Sequence, residues 1–344
     1  MMRPNDPFYN QLKSQVNNDI RTTRKPFFCD VLVTEKCNLH CRKCFFWKNG
    51  IGDGLDIEEY KRFIVSLREI INLPFEINLG GGEPLLKKGI IELIKFCADQ
   101  GLQPAISTNA TLIDDKTAKE LAECGLHRLS VSLESLNEDV HDFMTNTAGA
   151  YRRLMSGINC LKKHWSRGDV NIHTLISDKN LESIPELIEW VNKDKFFTGI
   201  AFQALAQPFR TDLKDNWYLD PGLGELWPKD SVKAAEMIEV LIGQKKNGYR
   251  ILNPESQLEI YKKYYLDPGS FVRVHRCNFG EYIFNVNVLG LVHLCCFMQP
   301  IGNIKNHDIK GLWYGQVAKD TREKMLHCQK SCNNIVNCYF QEEA

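Results

Sequence analysis

The sequence predicts an α/β fold, a partial (β/α)6 barrel followed by a small α+β, cysteine-rich extension, and three observations carry that prediction. From about residue 28 to 210, short β-rich runs alternate six times with segments whose apolar residues recur every three or four positions. In this half the residues suited to chemistry cluster at the carboxyl ends of those runs, where parallel sheets gather their ligands. Six of the 13 cysteines fall in the last third, beyond a Pro-, Gly- and Trp-rich passage at 217–228.

The strands read as Cys29–Glu35, Phe75–Leu79, Pro104–Thr108, Arg128–Leu133, Val170–Ile176 and Gly199–Leu205. The first helix carries Ile57, Tyr60, Ile64, Leu67 and Ile71 on one face; Asp56 stands at its N-cap with Glu59 three residues on, a capping-box pattern. Further helices are expected near Lys88–Gln100, Asp115–Cys124, Ala150–His164 and Leu181–Val191. Right-handed crossovers make the sheet parallel, and six units leave it short of a closed eight-stranded barrel. Past the joint come helices near Asp230–Lys246 and Pro254–Tyr265. A hairpin follows (Tyr282–Val288 and Leu291–Cys295, turning at Gly290), then a helix near Lys310–Met325 and the cysteine-rich tail. The expected divisions are a polar segment 1–27, a core 28–216, and a region 217–344 of linker, helices and cysteine-rich domain.

The 43 basic and 43 acidic residues cancel, so no net field recruits nucleic acid or an anionic membrane. Met1 to Lys25 lacks the apolar centre of a secretory signal, and no uninterrupted apolar run approaches the roughly 20 residues that span a bilayer. A cytoplasmic protein is expected. In a reducing compartment clustered cysteines argue for metal or redox chemistry rather than disulfides. The scattered Cys29, Cys97, Cys124 and Cys160 read as core.

Cys37, Cys41 and Cys44 are spaced C-x3-C-x2-C just after the first strand. Three thiolates in one tight loop hold three irons of a cubic cluster and leave the fourth open to a small molecule. Zinc is the weaker alternative, since its structural sites usually pair cysteines with a second pair elsewhere. Gly80-Gly81-Gly82-Glu83-Pro84 follows the second strand. Taken alone it is a Gly-rich turn; beside a ligand it offers close backbone approach and a carboxylate acceptor. Ser107-Thr108-Asn109 and Ser132-Leu133-Glu134 end the third and fourth strands, where ordinary turn or cap chemistry accounts for each singly. His173, Thr174 and Gln203 lie near the ends of the fifth and sixth.

The cysteine loop and the Gly-Gly-Glu-Pro run together resemble the radical S-adenosylmethionine (radical SAM) enzymes, a likeness extending over roughly residues 28 to 340. It implies a [4Fe–4S] cluster on Cys37, Cys41 and Cys44 whose open iron chelates SAM. It further implies that Gly81, Gly82 and Glu83 bind the SAM amino group, and that Thr108, Asn109, Ser132 and Glu134 contact its ribose and carboxylate. Two departures stand out: Lys43 takes the place of an aromatic often found before the third cysteine, and Glu134 that of a frequent Asp. Cys277, twelve residues, Gly290, four residues, Cys295 resembles the opening of the SPASM/twitch extension, as do Asn303 and Trp313. That likeness implies an auxiliary [4Fe–4S] cluster on Cys277, Cys295 and two of Cys328, Cys332 and Cys338, with Cys296 packing beside the ligand and a structural zinc site as the second reading.

The expected function is reductive cleavage of SAM to a 5′-deoxyadenosyl radical that abstracts hydrogen. The short N-terminal segment tilts the substrate toward a small or carrier-linked molecule, with a ribosomally made peptide as the alternative. The tail Gln341–Ala344 disfavours molybdenum-cofactor cyclisation, whose family ends glycine-rich. A low-potential donor such as a flavodoxin or ferredoxin is the implied partner. The competing class is a non-catalytic iron–sulfur carrier or scaffold, which would not need the Gly-Gly-Glu-Pro run.

Overall fold

The computed structural model describes residues 24–48, 54–208, 211–274 and 276–338. Of the N-terminal polar segment only residues 24–27 fall within these bounds, and the Gln341–Ala344 tail lies outside them.

Six parallel strands stand side by side in chain order: β1 (Phe28–Thr34), β2 (Glu76–Gly81), β3 (Gln103–Thr108), β4 (Arg128–Ser132), β5 (Asp169–Ile176) and β6 (Gly199–Ala204). The crossovers carry α1 (Ile57–Leu67), α2 (Ile90–Asp99), α3 (Asp115–Glu123), α4 (Glu138–Thr145), α5 (Ala150–His164) and α6 (Ile184–Lys193). With every right-handed crossover stepping the same way, the helices collect on one face. Alternate strand residues such as Val31, Leu79, Leu129 and Ile172 are buried there with Ile64, Leu93, Leu121 and Leu161 in one apolar core. At α1 the Asp56 carboxylate accepts from Glu59 N at 2.7 Å while Glu59 Oε2 accepts from Asp56 N at 2.8 Å, the expected capping box.

The sheet continues past β1. The first strand of the extension, β7 (Ile283–Val286), lies parallel to β1 with Phe28 opposite Ile283 and Val31 opposite Val286. Antiparallel β8 (Leu291–His293) and β9 (Gly302–Asn303) complete nine strands ordered β6-β5-β4-β3-β2-β1-β7-β8-β9. The hairpin thus satisfies the free backbone edge that a chain-ordered parallel sheet leaves on its first strand. Gly290 turns it at φ +83°, a conformation glycine adopts without strain, and Asn303 Nδ2 donates to Leu289 O at 3.0 Å across the turn.

The opposite edge, β6, faces α7 (Ser231–Lys246) and α8 (Glu255–Leu266), whose neighbouring segment bridges Ile200 in parallel through Arg250 and Leu252. The single helix expected near Lys310–Met325 is two, α9 (Ile309–Tyr314) and α10 (Gln316–Leu326), parted at Gly315. A last short helix, α11 (Asn333–Asn337), lies between Cys332 and Cys338.

Candidate active site

The cysteine loop leaves β1 at Thr34 and is stitched to the end of β2. A Cβ on Gly81 would lie 2.1 Å from Thr34 O, and one on Gly82 would lie 2.2 Å from Lys36 O. Freed of side chains, the strands close up: Gly82 N donates to Thr34 O at 2.9 Å and Glu83 N to Lys36 O at 2.8 Å. The buried Glu83 carboxylate turns toward its neighbours, accepting from Leu85 N at 3.1 Å, Thr108 Oγ1 at 2.8 Å and Asn109 N at 2.9 Å. Burial pushes its pKa up to about 7 against the opposing pull of those hydrogen bonds. Asn109 in turn donates to Asn38 Oδ1 at 2.9 Å, and Asn38 donates to Thr111 Oγ1 at 2.7 Å. Glycine run, β3 terminus and cysteine loop form one hydrogen-bonded unit.

The other flank of the loop is held by α4, which periodicity did not announce. Arg42 N donates to Met144 O at 3.0 Å, and the guanidinium reaches Phe143 O at 3.0 Å, Asn146 Oδ1 at 3.2 Å and Glu225 Oε1 at 3.0 Å. Trp47 Nε1 donates to Cys41 O at 3.3 Å and its ring meets His40 edge-on at 4.9 Å. Lys43, between the second and third cysteines, pairs with Glu134 beyond the end of β4. Glu134 is 1% exposed; its second oxygen accepts from Leu175 N at 3.0 Å and its own N donates to His141 Nδ1 at 3.3 Å. Burial pulls the Lys43 pKa down, but Glu134 together with Cys41 and Cys44 offsets it and the net shift is upward.

The thiols of Cys37, Cys41 and Cys44 are near enough to feel one another's charge. Burial pushes Cys37 up to about 11 and Cys41 to about 12, and raises Cys44 as well. Without iron the loop thiols are protonated at neutral pH, and iron must displace those protons as it binds. The donor set fits a sulfur-bridged cubane: three thiols crowd one loop, each still partly open to solvent. Among the described residues no three His, Cys, Asp or Glu side chains converge tightly enough for a single metal ion.

Behind the loop the face of the sheet away from the helices is polar. Asn78 Nδ2 donates to Asp30 Oδ1 at 2.7 Å across β2 and β1, and Arg128 pairs with Glu76 across β4 and β2. Three buried atoms here lack a protein partner: Arg128 Nε, Asn171 Oδ1 and His173 Nε2. Burial lowers the His173 pKa to about 3, so the ring is neutral. A parallel sheet covered on both sides is normally apolar on both. Buried polar atoms without protein partners on this face call for a polar partner from outside the sheet. Ser132 lies opposite His173 in the register, Thr174 Oγ1 donates to Glu134 O at 3.4 Å, and Gln203 is exposed.

The late cysteines also gather. Cys277 interacts electrostatically with Cys295 and Cys328, and Cys332 with Cys295 and Cys277. Cys338 neighbours Cys332 and stands near Asp30 of β1. Burial raises Cys277 to about 11 and Cys332 and Cys338 to about 12. Cys296 is exposed rather than packed; its hydrogen bond with Cys295 lowers the Cys295 pKa and raises its own, and it also feels the charge of Cys332 and Cys338. Sequence reasoning found the cysteines and the strand-end residues but not Asn38, Arg42 and Thr111, whose partners are distant in the chain.

Residues 31–191 match the family described as radical SAM superfamily and residues 277–339 match the iron–sulfur cluster-binding SPASM domain, so the chain carries a radical SAM domain followed by a SPASM domain. The two domain matches imply SAM with a [4Fe–4S] cluster at the first domain and auxiliary iron–sulfur chemistry at the second. An AdoMet-dependent heme synthase of Methanosarcina barkeri is 34% identical over 173 residues, covering 49% of this chain and 48% of its own. A PqqA peptide cyclase of Bradyrhizobium diazoefficiens is 24% identical over 327 residues, 90% of this chain and 78% of its own. The crystal structure of Streptococcus suis SuiB bound to precursor peptide SuiA superposes with a TM-score of 0.66 at 16% identity, over 87% of this chain and 67% of that one. The chain spans less than half the length of the heme synthase it matches. Among the described residues no helix is long and apolar enough to cross a membrane.

Proposed function

We propose that the protein is an enzyme that cleaves SAM reductively and abstracts hydrogen from a bound substrate. Residues 28–216 act as the SAM core and 217–344 carry an auxiliary cluster. When bound, the first cluster and SAM supply the electron and the 5′-deoxyadenosyl radical. In this reading Cys37, Cys41 and Cys44 hold that cluster, and Gly81 and Gly82 bring bare backbone beside the loop. Glu83, Thr108 and Asn109 fix the β2 and β3 termini, and Ser132 and Glu134 border the ribose side. The neutral His173 and the unpaired Asn171 and Arg128 atoms receive the polar part of the substrate. Cys277, Cys295, Cys328, Cys332 and Cys338 supply the auxiliary ligands. The observation that carries the reading is the gathering of three thiols at the carboxyl end of β1, stitched to Gly81 and Gly82, neither of which tolerates a Cβ.

The test is anaerobic iron reconstitution, addition of SAM and a strong reductant, and assay for 5′-deoxyadenosine. The C37A/C41A/C44A variant should form none while the auxiliary cluster's absorbance survives. No product from fully loaded wild type would favour an electron carrier, and zinc in place of iron would overturn both.

For substrate, the reading moves from a small molecule to a peptide. Support comes from the alignment along 90% of this chain with a peptide cyclase. Incubation with short peptides encoded beside the gene should yield a product lighter by two hydrogens; turnover of a small molecule alone would reverse it. A flavodoxin or ferredoxin supplying the electron completes the proposal.

A further inference from the structure

We infer that Lys43 and Glu134 form a charge-balanced pair whose members bias, with opposite sign, how readily the cluster of the cysteine loop accepts its electron. The inference rests on the assignment of that cluster to Cys37, Cys41 and Cys44.

Lys43 is placed by chain position between two of the three ligands, and its ammonium interacts with both the Cys41 and Cys44 thiols. Its side chain is 23% exposed, so solvent screens it little, and it points to Glu134, 91 residues along the chain. Glu134 is anchored independently: Leu175 N holds its second oxygen at 3.0 Å, and Asn180 and Thr174 hold its backbone carbonyl. The ammonium therefore cannot swing to solvent without stranding a buried carboxylate, which is strongly unfavourable.

Reduction adds one negative charge to a cluster already carrying three thiolates. A fixed cation nearby favours the reduced state, and a fixed anion opposes it. The two members of the pair thus act with opposite sign, and together they nearly cancel. A pair serving only as a strut between the loop and β4 would show no such opposition.

The experiment is a redox titration of the reconstituted full-length protein at pH 8.5 without SAM. It follows the paramagnetic signal of the reduced cluster that is absent from C37A/C41A/C44A. Lys43→Met should lower the reduced-to-oxidised ratio at fixed potential by about tenfold, ~59 mV for one electron. Glu134→Gln should raise it by a similar factor. Lys43→Arg and the double variant K43M/E134Q should stay close to wild type. Single variants that shift in the same direction, or not at all, overturn the inference while leaving the cluster assignment intact. Loss of the signal from both singles and from the double variant alike makes the pair a strut and also overturns it. A wild-type protein lacking the signal overturns the assignment itself.

Discussion

The side-chain amide of Asn337 stands where a neighbouring strand would be, accepting from Ala204 N at 2.8 Å and donating to Ala204 O at 2.9 Å. Asn253 does the same two residues earlier on β6, accepting from Phe202 N at 2.7 Å and donating to Phe202 O at 2.9 Å. Gln257 links the two, donating to Asn337 O at 2.9 Å and accepting from Asn253 at 2.8 Å. Side-chain amides close the last edge of the core sheet and, because Asn337 directly precedes Cys338, lock the cysteine tail to it.

Replacing Asn337 by Leu leaves Ala204 N and O buried without partners, at about 1–3 kcal/mol for each group. The expected result is a protein destabilised by a few kcal/mol that loses auxiliary iron first. Urea denaturation and iron counting on the reconstituted variant check it. Retention of the full iron complement with unchanged stability would show that the amide is dispensable.

These two findings bound what the sequence made legible. The six strands and the capped start of α1 rest on local signals, periodicity and cap chemistry, and they stand within a residue or two of where the pattern put them, whereas α1 ends at Leu67, four residues before the expected Ile71. The cysteine spacing announced its chemistry because ligands of one metal group must be close, and here they are close in the chain as well. What escaped was long-range. The hairpin strand β7 gave no sign that it would pair with β1, some 250 residues away, and α4 offers too few apolar residues for a helical stripe. Lys43 and Glu134 each looked like an isolated departure until the fold brought them together.

Gly82→Ala would place a methyl group 2.2 Å from Lys36 O and 2.8 Å from Glu35 O, all main chain and unable to rotate away. Something must shift, and what shifts is the segment leading to Cys37. Overpacking of this kind costs about 1–3 kcal/mol. SAM cleavage and the loop cluster's signal should be lost while auxiliary absorbance persists. Gly243→Ala in α7, with nothing within 4 Å of the added carbon, is the matched control and should gain up to ~1 kcal/mol.

Arg42→Ala separates loop tethering from stability. Its ion pair with Glu225 joins side chains 30% and 42% exposed, so screening limits that contact to about 0.2–1 kcal/mol. The variant should melt near wild type. It also loses the hydrogen bonds to Phe143 and Asn146 that hold the loop on α4. Iron should therefore leave the loop severalfold faster under a chelator, read as bleaching of the cluster's visible absorbance; an unchanged rate would assign the clamp to α4 alone.

The raised thiols give the apo protein a pH signature. Burial lifts Cys37 from 9.0 to about 11 and Cys41 to about 12, and raises Cys44. Between pH 9 and those values the folded state holds protons that the unfolded chain has released. Stability from these groups is therefore fully present below pH 9 and is lost as the pH climbs through 11 to 12. Other raised thiols and tyrosines, such as Cys97, Cys332 and Tyr261, contribute the same sign, so the informative quantity is a difference. Wild-type apo protein should lose stability relative to apo C37A/C41A/C44A as the pH rises from 9 to 10.5, with a steepness bounded by three protons. Urea midpoints at several pH values measure it, and parallel curves for the two proteins would mean that the loop thiols are not held away from water.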